Sequence, residues 1–486
     1  MQVVIGGGDL AVETSLSAFD GEIERIVSFG IRRPGYDEGL RTEQFILHRF
    51  NELGLGDTRL EPVPVNYWRP TTSRLSIGEL AADVPCFAVP YTGWTESDGA
   101  QAGTVYIGVG GAEAFDEADV SGKIVVADMQ FGELNATHLK GGSHFIHDPG
   151  GTIPDGPLHC ANWLIPNFRA YYESWKRGAA GFIGLLGEMP IDGCELYVPY
   201  DGFLKKTPAA WVGREHAGAV RSVAASGEPF HFTSTGEGRT VDSHNVIAVL
   251  PGRTDEFILL TCHHDAPFAS AVEDASGLSV LLVLAEAFAQ SAQPLERGLV
   301  FLASSGHFHG AIGCREFVGK HRGGLLEKIV AVIGIEHIAE EVQGDDDGQY
   351  AKTGQAETRA LFVDKTPELL RVLEEEVQRV DLNRTLAVDA YLFGSEPPCD
   401  SAPFFTAGIP SVCHISGPLY LFDPHDTIDM VREEDLRKVA DLFHGVIRRI
   451  DSIPAAGLAK GMTRQRNDPP AAPPPWFLPP ETFLGN

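Results

Sequence analysis

Five short segments of this chain carry imidazoles and carboxylates at a density that suits metal chemistry. They read Cys-His-His-Asp at 262–265, Glu-Asp-Ala-Ser-Gly at 273–277, Gly-His-Phe-His-Gly at 306–310, Glu-His at 336–337 and Asp-Pro-His-Asp-Thr at 423–427. Imidazole nitrogen with carboxylate oxygen is a donor set for Zn, Mn or Fe. Near neutral pH a histidine in such a set also serves as a proton carrier. One His-x-Asp alone would read as an ordinary polar loop. Five such segments, each placed after or between apolar runs, argue for a shared site.

The elements that must position these segments follow from periodicity. Apolar runs at Val246–Leu250, Phe257–Thr261, Leu299–Ala303 and Ile329–Ile335 alternate with helical stretches, the pattern of an α/β sheet covered on both faces. In open sheets of that kind functional groups gather where strands end. A helix is expected over about 275–290, apolar nearly all round and hence buried, with later helices at 367–380 and 433–450. Residues 14–55 read as helical from Ile23, Ile26, Val27, Phe45, Ile46, Phe50 and Leu53. From about 60 to 232 short β-like runs are broken by Gly, Pro and Asp, with a helix at 167–177, as in a mostly β insert. The expected division is 1–65 with 240–450 as the catalytic domain, 66–239 as the insert, and 451–486 as a Pro-rich tail. The tail is expected to be extended and docked through Trp476, Phe477, Leu478, Phe483 and Leu484 in a homo-oligomer.

Composition narrows the function. A net charge of −29 excludes a phosphate-tracking surface for nucleic acid. With 43% hydrophobic residues in 486, the chain can bury a core, yet no run approaches the ~18 apolar residues of a membrane span. The first ten residues lack a basic start and an apolar stretch, and the seven cysteines are scattered without a Cys-x-x-Cys pair. The expectation is a cytoplasmic protein with reduced thiols, acting on a small-molecule or short peptide-like substrate.

The same segments resemble metallopeptidase family twenty-eight, the family of bacterial leucyl aminopeptidase, aminopeptidase Y and plasma glutamate carboxypeptidase, over most of residues 14–450. His263-His264-Asp265 resembles its first ligand motif, Asp274-Ala-Ser-Gly277 the end of its bridging-carboxylate motif, and Gly310-Ala-Ile-Gly-Cys314 the stretch after its Glu-Glu pair. Asp400-x-x-Pro-Phe404, Ala407-Gly-Ile-Pro410 and Pro424-His-Asp-Thr427 resemble its late loops. Gly122-Lys-Ile-Val-Val126, Gly178-Ala-Ala-Gly-Phe-Ile183 and Pro208-Ala-Ala-Trp-Val212 resemble a protease-associated module. The implied fold is a zinc-aminopeptidase-like mixed sheet flanked by helices, with a β-rich inserted domain.

The departures from that family carry the functional expectation. Its bridging Asp falls on Glu273, its general-base Glu on His307, and its next Glu, a ligand of the first metal, on Phe308. Its second-metal Asp falls on Glu336, and its last His, another first-metal ligand, on Phe422. Both non-bridging ligands of the first metal are thus phenylalanines, which cannot coordinate an ion, while all three positions of the second remain ligand types. The expectation is one divalent ion per chain (Zn, Fe or Mn) held by His263, Glu273 and Glu336. His307 would be a fourth ligand or the general base, and Asp265 would orient the site. Looser candidates are His309, His425 and, over the mouth of the site, His138, His144, His147 and His159; His264 reads as supporting. Three functions follow: hydrolysis of an amide bond in a small or peptide-like substrate; a non-hydrolytic mononuclear iron or manganese reaction such as ring cleavage by an oxygenase or a lyase step; or a catalytically inactive relative.

Overall fold

In a computed structural model, residues 16–78, 82–469 and 482 are described. The four apolar runs join the centre of a large sheet, in which Leu299–Ala303 and Ile329–Ile335 are buried throughout and the other two are buried except at Val249, Leu250 and Phe257. Phe257–His263 lies between Gly298–Ser304 and Ile329–Ile335, parallel to both. Outward from the latter come Ser411–Ser416, Arg359–Val363 and Thr385–Asp389. The helix Gly277–Ala289 packs across this centre with ten of its thirteen residues buried, as an all-apolar surface requires. The chain steps from Phe257–His263 to its neighbour on one side and then to its neighbour on the other. The carboxyl ends of these three strands therefore open on a crevice at a topological switch point. The result is a mixed α/β fold in which the metal-type segments share one sheet edge.

Two elements are longer than their apolar content suggests. Gly56–Ile77 and Phe230–Leu250 pair antiparallel along almost their full lengths and carry the chain out of the central sheet. The first keeps Pro62, Pro64 and Pro70 because it is an edge over that stretch, where no neighbour needs their missing N–H groups. The divisions expected at 65/66 and 239/240 thus fall inside paired strands. The insert also gives short strands to the large sheet: Ser143–His147 at the edge beside Thr385–Asp389, Ala82–Val84 on Gly56–Ile77 and Ala100–Ala102 on Phe230–Leu250. The rest of the insert has its own five-stranded sheet, in which Ile124–Asp128, Gly181–Leu186 and Ala209–Gly213 run parallel.

The continuous helical reading of 14–55 is corrected. Two helices form, Leu16–Val27 and Asp37–Glu52, because Gly30 (φ 97°), Pro34 and Gly35 (φ 77°) interrupt between them. At the other end, residues 455–469 lie on the catalytic domain. Leu458 is buried, Thr463 binds the Asp364 carboxylate, and Arg466 donates to the Leu326 carbonyl. The expected anchors Trp476, Phe477, Leu478, Phe483 and Leu484 lie outside the described residues. No described helix is long and apolar enough to cross a membrane.

Candidate metal centre

Strand ends deliver the first donors. His263 is the last residue of its strand, and its Nδ1 is committed to the Asp265 carbonyl at 3.0 Å, which leaves Nε2 free. That Nε2 lies 3.4 Å from Glu273 Oε1. Glu336 follows directly on Ile329–Ile335, and its N–H still completes the ladder to the His414 carbonyl. The next residue, His337, adopts φ 51°, an unfavourable conformation for a non-glycine side chain and one found chiefly where function holds it. This turn brings two consecutive side chains to the same cluster, where a continuing strand would have sent them to opposite faces. His337 Nδ1 bonds the Ser416 carbonyl, and Nε2 sits 2.5 Å from Glu273 Oε2.

His307 comes from the loop after Gly298–Ser304. Its ring stacks on His263 with centroids 4.1 Å apart, its Nδ1 bonds Asp400 Oδ1 at 2.7 Å, and its Nε2 lies 3.5 Å from Glu273 Oε1. The site is closed to solvent except at this ring, whose side chain is 11% exposed. Two overlapping groups of donor atoms come close enough to share an ion: His263, Glu273 and His307; and His263, Glu336 and His337.

The unpartnered atoms test the fit. His263 Nε2, His307 Nε2, His337 Nε2, both Glu273 carboxylate oxygens and Glu336 Oε2 are all buried without a hydrogen bond of good geometry, His337 Nε2 and Glu273 Oε2 included although they lie 2.5 Å apart. Leaving six polar atoms unpaired in one small volume is costly, and a divalent cation satisfies lone pairs of this kind together. The second ring nitrogen of each histidine is held by a carbonyl or carboxylate, as metal-binding histidines require. The residues fit a divalent ion.

The surroundings set the charge. Burial is the largest single influence on the carboxyls of Asp265, Asp426 and Glu336. It drives the Asp265 carboxyl up to about 6, Asp426 to about 7 and Glu336 to about 7, with neighbouring carboxylates adding to the last two. At His337 burial opposes the charged ring, and Glu273 and Asp274 outweigh it, raising the ring to about 10. At His307 Asp400 and Glu273 likewise overcome burial and hold the proton well above the usual imidazole value. One buried cation lies beneath the loop: Arg32 donates to the carbonyls of His264, Ser270 and Glu273. Its desolvation lowers it to about 10, against the pull of Asp426, Asp265, Asp274 and Glu273.

Several expected residues take other places. The Asp265 carboxylate accepts from the backbone N–H groups of His307 and Phe308, so it fixes the His307 loop, while its carbonyl orients His263. His264 donates from Nε2 to the His244 carbonyl, beneath the site. His309 is buried against Tyr91 and the Asn66 backbone, a bond between the catalytic domain and the long strand; burial lowers it to about 4. His425 bonds Asp423 beside Tyr350. His147 pairs with Asp381, His159 with the Cys160 carbonyl and Glu357, and His138 packs on Phe393. Among the described residues, neither His425 nor the insert histidines His138, His144, His147 and His159 belongs to the donor groups.

Other functional residues were missed from the sequence. His337 stood beside Glu336, but only its positive φ shows that both face inward. Asp400 lay in a recognisable motif without an assigned task. Asp426 accepts three successive N–H groups from Ala271, Val272 and Glu273 and thereby fixes the Glu273 loop. Tyr197 and Tyr200 come from the insert. Tyr200 lies parallel to His307 with centroids 5.9 Å apart, and both tyrosines pack on the pair Phe308–Phe422, whose rings meet edge to face at 5.3 Å.

Comparison with known proteins bears on the fold that carries these residues. Residues 245–447 match the model of Peptidase family M28. No curated protein matches the chain by sequence. Among solved structures, the aminopeptidase from Aneurinibacillus sp. strain AM-1 aligns with a TM-score of 0.62 at 20% identity, over 89% of this chain and 93% of that one. The zinc aminopeptidase BSAP from Bacillus subtilis gives 0.66 at 15%, over 94% and 99%. A Peptidase M28 precursor from Shewanella amazonensis SB2B gives 0.68 at 17%, over 95% and 97%. At these identities the likeness establishes the fold, insert included.

Proposed function

We propose that this family M28 chain is a metal-dependent hydrolase of an amide bond in a small or peptide-like substrate, and that it works with one divalent ion where its relatives' motif provides for two. The observation that carries the reading is the division of the site. Six unpartnered donor atoms crowd one side, and two buried phenylalanines in mutual contact fill the other. His263, Glu273, Glu336 and His337 would hold the ion, whose +2 charge balances the two carboxylates. Bound there, a divalent ion supplies Lewis-acid polarisation of a carbonyl and lowers the pKa of water.

With His337 available as a ligand, His307 is left to handle protons. Asp400 holds its Nδ1 and so fixes the tautomer that presents Nε2 to the site. The pair can take a proton at Nε2 and return it to a leaving nitrogen, the double task of general acid–base catalysis. Asp265 and Asp426 keep the two loops in register through backbone N–H groups. Arg32 offsets the buried negative charge from below.

The substrate faces aromatic surface. Tyr197, Tyr200, Phe308 and Phe422 form the wall next to His307. The carboxylates around it are committed: Asp400 to His307, Asp265 and Asp426 to backbone N–H groups, Asp274 to Gly277 and His337 N–H. None is left to receive a substrate ammonium, so an apolar, uncharged acyl group fits better than a free amino terminus. The insert, which resembles a protease-associated module, supplies half of this wall.

The test is metal analysis of protein purified without added metal, with hydrolysis of N-acylated aromatic amides against the same amides bearing a free amine. One ion per chain and preference for the acylated series is the expected result; two ions at full occupancy, or activity in metal-free protein, refutes the reading. A second reading, non-hydrolytic iron chemistry, draws on the two-histidine and carboxylate donor set of His263, His337 and Glu336. Bound iron with oxygen consumption would select it.

A further inference from the structure

A second donor set stands against the back of Glu336. Cys413, inside the strand Ser411–Ser416, places its Sγ 3.1 Å from Glu336 Oε1. Cys399, on the turn before Ala402–Thr406, brings its sulfur to the same point, and the two sulfurs and a Glu336 carboxylate oxygen all lie within 4.8 Å of one another. Both thiols are free. The other buried thiols near the site are not grouped this way: Cys262 donates to Asp274 Oδ2 and Cys314 sits against Thr261 Oγ1.

We propose that Cys399, Cys413 and Glu336 Oε1 form a second cation site, specific for a thiophilic divalent ion such as zinc or cadmium, back to back with the first centre. The spacing suits it. With metal–sulfur bonds of about 2.3 Å, tetrahedral geometry sets the sulfurs ~3.8 Å apart, so the existing cluster needs side-chain adjustments of only about 1 Å. Paired thiolates select soft or borderline ions over magnesium or calcium. The charge also balances: the entering ion brings +2, the two thiols release two protons and become thiolates, and Oε1 contributes a lone pair. The net charge of the buried cluster is therefore unchanged. Cys413 is buried, while Cys399 is partly exposed and gives the ion its way in.

Occupancy has a cost for the first centre. Oε1 now accepts the Asp400 N–H at 3.0 Å, and Asp400 in turn holds His307. An ion on Oε1 displaces that bond and draws on the carboxylate whose Oε2 faces the first site. The second site thus couples a soft-metal load to loss of activity. The site itself stands on its own donors; the coupling rests on the function proposed above.

Cadmium titration of the purified protein, with its own metal in place, tests both parts. The expected result is uptake of one cadmium ion with a near-ultraviolet thiolate-to-cadmium band, and no such band in C399S or C413S, each of which keeps its first ion. In the unsubstituted protein cadmium should shield Cys399 from alkylation at least tenfold, a measurement that survives if C413S fails to fold. No band in the wild-type protein, a band that persists in both variants, or no shielding overturns the site. A band that forms while activity toward the amide substrate is untouched overturns the coupling through Glu336 and leaves the site standing. Activity absent before any cadmium is added refutes the hydrolase reading alone.

Discussion

The two halves of the candidate site lie side by side and solve opposite problems. On one side His263, Glu273, Glu336 and His337 leave lone pairs buried and unpaired, an arrangement that is unfavourable until a cation enters. On the other, Phe308 and Phe422 are only 0% and 3% exposed and satisfy each other by edge-to-face contact, with Tyr197 and Tyr200 packed on them. The polar half depends on a ligand for its stability; the aromatic half does not. This difference is what the proposal of a single ion with an apolar neighbour rests on. A polar site decays by losing donors, but a site filled with packed rings has acquired a new surface.

The largest effect expected is at the polar half. His263→Ala or Glu336→Ala should remove the bound ion and reduce activity to background, read by elemental analysis beside a rate assay. Metal retained in either variant would break the comparison. Next, Phe308→Glu combined with Phe422→His should convert the aromatic half back into donors and raise the stoichiometry from one ion to two. If the double variant still binds one, the aromatic half owes its character to more than these two residues.

Asp400→Asn acts chiefly through His307, since its other carboxylate bond, from Ser304 Oγ at 3.2 Å, can be kept by the amide oxygen. Activity should fall about 10- to 100-fold, the usual cost of losing the partner that orients an imidazole, with the ion still bound and the alkaline side of the pH–rate profile displaced. Arg32→Met should leave the aromatic half untouched and destabilise the polar half by about 1–3 kcal/mol, because it strands buried carbonyls. Thermal unfolding with and without added metal would measure this, and an unchanged melting temperature would contradict it.

The smallest effect lies beneath the site. His244 bonds Glu43, and that bond, stronger than the opposing burial, raises its pKa above the ordinary value. The sign follows from the unfolded value of about 6.5. A raised native pKa stabilises the fold fully below that value, and the benefit fades as pH rises through the native one. His244→Gln should therefore match the wild type more closely at pH 9 than at pH 5.5 in thermal unfolding. An equal difference at both pH values would show that the pair adds no charge term.

Much of this molecule could be read before its folding was known. The buried runs Phe257–Thr261, Leu299–Ala303 and Ile329–Ile335 became strands with nearly the same limits, since a continuous apolar run of this length has few other ways to be buried in a two-faced sheet. The helices at 367–380 and 433–450 kept their bounds because their periodicity and polar flanks agree. The ribbon of Gly56–Ile77 with Phe230–Leu250 was not legible, because its prolines, glycines and charges are tolerated only by an edge whose position the pairing defines.

The candidate site divides in the same way. Residue identity alone determined that His263, Glu273 and Glu336 carry donor atoms and that Phe308 and Phe422 do not, since coordination is a property of the atoms present. Direction was decided by tertiary structure. The left-handed turn at His337 swings a second imidazole inward, Asp400 arrives from 93 residues away to fix His307, and the insert brings Tyr197 and Tyr200 over the phenylalanines. Each of these depends on backbone angles and on contacts remote in the chain, which local composition does not encode.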